Sequence, residues 1–138
     1  MSHGGMNYLA VLVAAAAGFA FGAAWYMALG RQWMAALGKS RDEIGADGPR
    51  ARPFVIAAVA QIVMAFVLAG SIGHLGVGEV TVRNGVISGA ILWVGMVATT
   101  LSVNHAFQGS KFRLTLIDGG HWLGVLLIQG LVIGLFGV

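Results

Sequence analysis

From Met6 to Leu29 the chain reads MNYLAVLVAAAAGFAFGAAWYMAL, with no charged side chain anywhere in the run. As a helix rising 1.5 Å per residue this is about 36 Å long, enough to cross a hydrocarbon core of about 30 Å. Segments 53–74, 84–107 and 114–138 have comparable length and character. In lipid every backbone N–H and C=O has to be bonded inside the structure, so runs of this kind are expected to be helical. The expected fold is all-α: one membrane domain, 1–138, an integral membrane four-helix bundle with connections at 30–52 and 108–113.

Composition agrees with that class. The chain is 58% hydrophobic and 9% charged, too little polar surface to coat a water-soluble globule. A sequence pI near 10.0 superficially suggests nucleic acid. The eight Lys and Arg lie in the turns between apolar runs, where membrane orientation explains them and no nucleic-acid partner is implied. Cysteine is absent, which removes disulfides, thiolate metal sites and a cysteine nucleophile. A signal peptide is a poor reading of the first run, since no Lys or Arg precedes it and it exceeds an apolar region of about 7 to 15 residues.

Met1 to Gly5 is small and polar, Met6 is an equally good start, and no element is expected there. In 30–52, Trp33, Met34 and Leu37 have helical spacing and suit a short helix on the membrane surface, with Arg31 and Trp33 as interfacial anchors. Gly38 is expected to end it. Ser40 followed by Glu43 has the form of a capping box, Gly48-Pro49 marks a break, and Pro53 opens the second span. Gln61 interrupts that span and reads as an amide bonding a neighbouring helix. His74 and Glu79 fall in an exposed glycine-rich turn.

Charge sets the expected topology. The two connections hold Arg31, Lys39, Arg41, Arg50, Arg52, Lys111 and Arg113, against Arg83 alone on the other side. The positive-inside rule then places both connections in the cytoplasm and both termini on the non-cytoplasmic side of a cell inner membrane.

The segment from Thr99 to Trp122 breaks the apolar pattern. It holds Asn104, His105, Asp118 and His121, and a hairpin between the third and fourth spans would bring these four to similar depth near the cytoplasmic face. Asp118, His121, Val125 and Gln129 form one stripe on the fourth helix, and Trp93, Val97, Thr100 and Asn104 form one on the third. The two stripes are expected to face each other, with Trp25 and Tyr26 from the first helix lining the same place. Two readings stay open: a functional site, the default for ionisable groups in a membrane, or an interfacial carboxylate near a helix N-terminus with interfacial histidines. Small residues recur at four-residue spacing in Gly18/Gly22, Gly85/Gly89, Gly120/Gly124 and Gly130/Gly134, and are expected to be helix-packing positions.

Two stretches, GAAWYMALGRQWMAALGKS with Trp25, Tyr26, Gly30, Trp33 and Gly38, and NHAFQGSKFRLTLIDGG, resemble the bacterial membrane-protein family called domain of unknown function 1761. The resemblance extends over nearly the whole chain. It implies four membrane helices and carries no activity with it.

No phosphate loop, paired-histidine metalloprotease motif or nucleophile elbow occurs. His105, Asp118 and His121 are a weak metal set, because two come from one helical turn and the third from another helix. No metal and no cofactor are expected. The leading expectation is a non-enzymatic, helix-packing and oligomerising membrane protein that contacts membrane lipid and leaves a homodimer open. The alternative is a small transporter or ligand-binding membrane protein using the polar site, and a third is a membrane enzyme acting on a lipid or quinone with the same residues.

Overall fold

The structure, a computed structural model, describes residues 2–3, 6–45 and 51–137. Asn7 begins the first helix, its side chain accepting from the N–H of Ala10 at 3.1 Å and so satisfying one of the free donors of the first turn. Helix α1 runs Tyr8–Ala28, and a short surface helix α2 follows at Gly30–Leu37. Gly38 closes α2 in a left-handed conformation, φ 72°, which glycine adopts without a side-chain clash. Ser40 and Glu43 then bond reciprocally, each backbone N–H to the other's side-chain oxygen at 3.2 Å, and start the one-turn helix α3, Arg41–Gly45. The Gly48-Pro49 break, with Arg50, lies outside the described residues.

Helix α4 runs Ala51–Gly73, α5 runs Val82–Phe107 and α6 runs Phe112–Phe136. Pro53 sits in the first turn of α4, where its missing N–H has no helical partner to lose. Together with α1 these are four helices long and apolar enough to cross a membrane. At the N-terminus, Ser2–His3 pairs antiparallel with Met6–Asn7, a minimal ladder where the sequence suggests no element.

Consecutive long helices run antiparallel. α1 packs on α4 and α6, and α5 packs on α6 and α4, so the four close a ring with α6 also touching α4 across it. Each helix turns small or apolar residues inward: Ala10, Val11, Ala14, Ala15, Gly18 and Gly22 on α1, and Ala65, Leu68, Ala69 and Ile72 on α4. Large apolar side chains such as Leu12, Ile56, Val63, Phe66, Met96 and Leu135 are exposed, which is the expected arrangement for a surface solvated by lipid tails.

The α5–α6 contact is backbone on backbone. A β-carbon at Gly85 would overlap the carbonyl of Gly130, and one at Gly130 would overlap that of Gly85. Gly89 meets the Leu126 carbonyl and Gly134 the Thr81 carbonyl in the same way. The α1–α6 contact uses glycine differently, as notches for side chains. Gly22 receives His121, Gly120 receives the Trp25 indole, Gly124 receives the Phe21 ring, and Gly18 receives the amides of Gln61 and Gln129. All eight glycines singled out by spacing are thus occupied within one chain.

Helix α5 changes pitch on the way. Residues Trp93–Ala98 form a π-helical turn between two α-helical segments, which adds residues to the turn and rotates everything beyond it. The inward face passes through Trp93, Val97, Leu101 and His105, while Thr100 and Asn104 are exposed. The stripe expected from regular α spacing is therefore corrected after Val97.

Gly130→Ala is expected to lower unfolding stability in detergent by about 1–3 kcal/mol, because backbone cannot rotate out of the added methyl's way. Gly95→Ala, with nothing within 4 Å of the new atom, is expected to leave stability unchanged or slightly raised. Equal losses in the two variants would show that the α5–α6 approach is not the tight contact described.

Candidate functional site

Asp118 lies in the second turn of α6, at the end of the bundle that carries α2, α3 and most of the described Lys and Arg residues. Its neighbours in sequence, Ile117 and Gly119, are held from both sides. The Trp25 indole N–H donates to the Ile117 carbonyl at 3.0 Å, and the Trp93 indole N–H donates to the Gly119 carbonyl at 2.8 Å. These indoles come from α1 and α5, so the turn that presents Asp118 is fixed against both adjacent helices. Gly119 and Gly120 make room for the two rings.

Both oxygens of the carboxylate are engaged. The Tyr26 hydroxyl donates to Oδ1 at 2.6 Å, and His105 Nε2 lies 3.8 Å from Oδ2. The other His105 nitrogen, Nδ1, is 2.8 Å from Thr115 Oγ1, one turn before Asp118 on the same helix. His105 is 8% exposed and the Asp118 side chain 20%, so the pair is screened by protein while keeping an edge toward the interface. Tyr26 is covered in turn by Trp33 of α2, ring centroids 5.7 Å apart and edge-on. Around them Ala36, Leu114 and Ile117 form a small apolar cluster with Leu29 and Leu37.

His121 sits one turn deeper. It is 7% exposed, its ring centroid lies 4.9 Å from that of Tyr26 and 6.4 Å from that of Phe21, and Nδ1 has no hydrogen-bond partner among the described residues. Two turns further, Gln129 Nε2 donates to Gln61 Oε1 at 2.7 Å and to the Gln61 carbonyl at 3.3 Å. The bonding of Gln61 to a neighbouring helix matches the reading of its amide from sequence. Gln129 Oε1 is buried without a partner.

Of the residues nominated from sequence, the structure brings Trp25, Tyr26, His105, Asp118 and His121 together. Asn104 is not among them: it is exposed on α5, and the π turn puts its neighbour His105 in the position expected for it. Sequence reasoning missed Thr115, Gly119 and Trp33. The signal for Thr115 was its three-residue spacing before Asp118, which places both on one face of a helix. Trp33 is legible from its spacing only as an interfacial anchor of the surface helix, and Gly119 has no comparable pattern. A cavity of about 330 Å³ opens between α5 and α6, lined by Trp93, Leu101, Phe112, Thr115, Leu116 and Leu123 among others; Asp118 is not in its wall. Among the described residues no three His, Asp or Glu side chains converge as metal ligands.

Chemically, the cluster is a carboxylate with one hydroxyl donor and one imidazole. A proton on His105 Nε2 makes an ion pair with Oδ2, and a proton on Oδ2 leaves two neutral groups. Tyr26→Phe leaves Oδ1 without its donor and is expected to cost about 1–3 kcal/mol of stability. Asn104→Ala, by contrast, should stay within about 0.5 kcal/mol of the parent protein. Detergent unfolding of the two variants checks the order, and a larger loss for Asn104→Ala would contradict the placement of α5.

The sequence profile of the family described as "Protein of unknown function (DUF1761)" matches residues 9–134. No curated protein and no solved structure matches the chain.

Proposed function

We propose, for this chain, which belongs to the DUF1761 family, that it is a small transport or ligand-binding protein of the inner membrane, without enzymatic chemistry, whose Asp118 site exchanges a proton with the cytoplasm. Both termini lie on the non-cytoplasmic side in this reading. The observation that carries it is the engagement of one screened carboxylate by Tyr26 on α1 and His105 on α5 at once. Three helices meet at a group whose charge changes when it takes up a proton, so protonation acts on their packing. Histidine is the side chain whose ordinary titration falls in the physiological range, and a carboxylate beside it completes a pair able to hold one exchangeable proton.

The groups facing Asp118 are few. α1 contributes Tyr26, α5 contributes His105, and α6 itself contributes Thr115 and His121. α2 presents Trp33 against Tyr26, while Lys111 directs its amine to the Ala35 carbonyl at 3.4 Å rather than to the carboxylate.

Two observations favour this reading over a purely packing and oligomerising role. The eight glycines that suggested an association face are filled from within the chain, so a homodimer built on them would have to break the protomer's own contacts. A packing role also does not call for a carboxylate and two buried histidines, which are costly in a membrane. The topology rests on charge: among described residues Arg31, Lys39, Arg41, Arg52, Lys111 and Arg113 share one end of the bundle and Arg83 takes the other.

Infrared difference spectroscopy of the protein in lipid, acidified across the range in which carboxylic acids and histidines titrate, tests the site. A carboxylic-acid band that appears in the parent protein and is missing in Asp118→Asn is expected. Identical difference spectra for the two proteins would end the proton reading. Reporter fusions test the topology, with activity of a periplasm-dependent reporter expected at the C-terminus; activity of a cytoplasm-dependent reporter there would reverse it.

A further inference from the structure

Below the Asp118 cluster polar side chains recur along the seam between α1 and α6 as far as Gln129, in the last third of α6, and then stop. Asp118, His121, Val125 and Gln129 succeed one another along one face of α6, spanning about 16 Å at 1.5 Å per residue. Opposite them α1 presents Tyr26, then Gly22, then Gly18, the last midway along that helix. Gln61, midway along α4, closes the seam by accepting from Gln129.

Two buried polar atoms in this seam have no partner among the described residues. His121 Nδ1 belongs to a residue 7% exposed and Gln129 Oε1 to one 0% exposed. Buried polar groups are nearly always hydrogen-bonded, and internal water is the usual partner where protein supplies none. Glycines at 22 and 18 let both side chains sit against the α1 backbone: His121 Nε2 fills the first notch and the Gln61 and Gln129 amides the second, which leaves His121 Nδ1 and Gln129 Oε1 as the unpartnered atoms. Val125 lies between them, fully buried, and its Cγ1 would be 3.2 Å from a β-carbon at Gly18, so it fills the seam between the two levels.

Beyond the glutamines the lining changes at once. Four residues on from Gly18, Gln61 and Gln129 toward the other face stand Ala14, Ala65 and Ile133, followed by Val11, Leu68 and Ile72, all buried and apolar.

We propose that this seam is a one-sided water path: water enters at the Asp118 end, passes Val125 and reaches Gln129 and Gln61, where the apolar layer stops it. The path is an access route for protons to His121, and for water to the glutamines, from one side only. Hydration of the seam stands independently of the proton exchange assigned to Asp118, while its use as a proton route rests on that reading.

Water-to-protein magnetisation transfer in labelled protein, reconstituted in phospholipid bilayers, tests it by solid-state nuclear magnetic resonance. The side-chain amides of Gln61 and Gln129 and the His121 ring should build up signal from water severalfold faster than the methyls of Ala14, Ala65 and Ile133. Build-up at the glutamines as slow as at Ala14 would overturn the path, and fast build-up at Ile133 and Leu68 would overturn its one-sidedness. Val125→Ala should speed transfer to Gln129; an unchanged rate would remove Val125 as the constriction. Asp118→Asn separates the two readings, since it is expected to remove the carboxylic-acid infrared band and keep the water transfer. If that band is absent from the parent protein but the transfer is fast, the path survives and the proton site does not.

Discussion

The close approach of α5 and α6 is the contact from which the rest of the structure takes its position. In lipid, apolar side chains gain little by leaving the surrounding tails, so helices hold together through dispersion at short range and through internally satisfied polar groups. Gly85 against Gly130 brings two backbones as near as they can come, and Gly89 and Gly134 extend the contact above and below. α6 thereby becomes the axis of the bundle, and α1 and α4 pack on the sides it leaves free.

Once α6 is fixed, the polar residues of its other face have to be accommodated where they fall. Asp118, His121 and Gln129 lie on the side turned to α1, and α1 meets them with a hydroxyl at Tyr26 and with bare backbone at Gly22 and Gly18. The same glycine spacing therefore does two different jobs in one molecule. On α5 it admits backbone, and on α1 it admits polar side chains that would otherwise be forced toward lipid.

That difference marks the limit of what the sequence makes legible. Four apolar runs, the capping box at Ser40 and Glu43, and the meeting of Tyr26 and Asp118 with the polar end of the third span can all be read from length, spacing and the few polar residues, because each depends on local pattern or on hairpin depth. The choice between His105 and Asn104 cannot. It turns on the π turn at Trp93–Ala98, and nothing in WVGMVA announces a wider turn by spacing or by charge. What each glycine receives is equally hidden, since a four-residue repeat gives the face and says nothing about whether a carbonyl, an indole or an imidazole will arrive there. The indole bonds to the Ile117 and Gly119 carbonyls depend on the separation of three helices, a quantity no segment of the chain encodes alone.

The two kinds of helix contact also differ in how they can respond to a change of charge. Where backbone touches backbone, as along α5 and α6, there is no rotamer to adjust, and any shift has to break the whole contact. Along α1 and α6 the contact consists of side chains set in notches, and a tyrosine, a histidine or a glutamine can reorient while the helices keep their places. A neutral side chain at 118, as in Asp118→Asn, presents Tyr26 and His105 with an uncharged acceptor. The Trp25 and Trp93 indoles hold α1 and α5 to α6 through backbone carbonyls whose charge does not change, so the change falls on the side chains between them. The seam that contains the unpartnered His121 and Gln129 atoms is thus also the seam whose side chains can reorient while the helices stay packed.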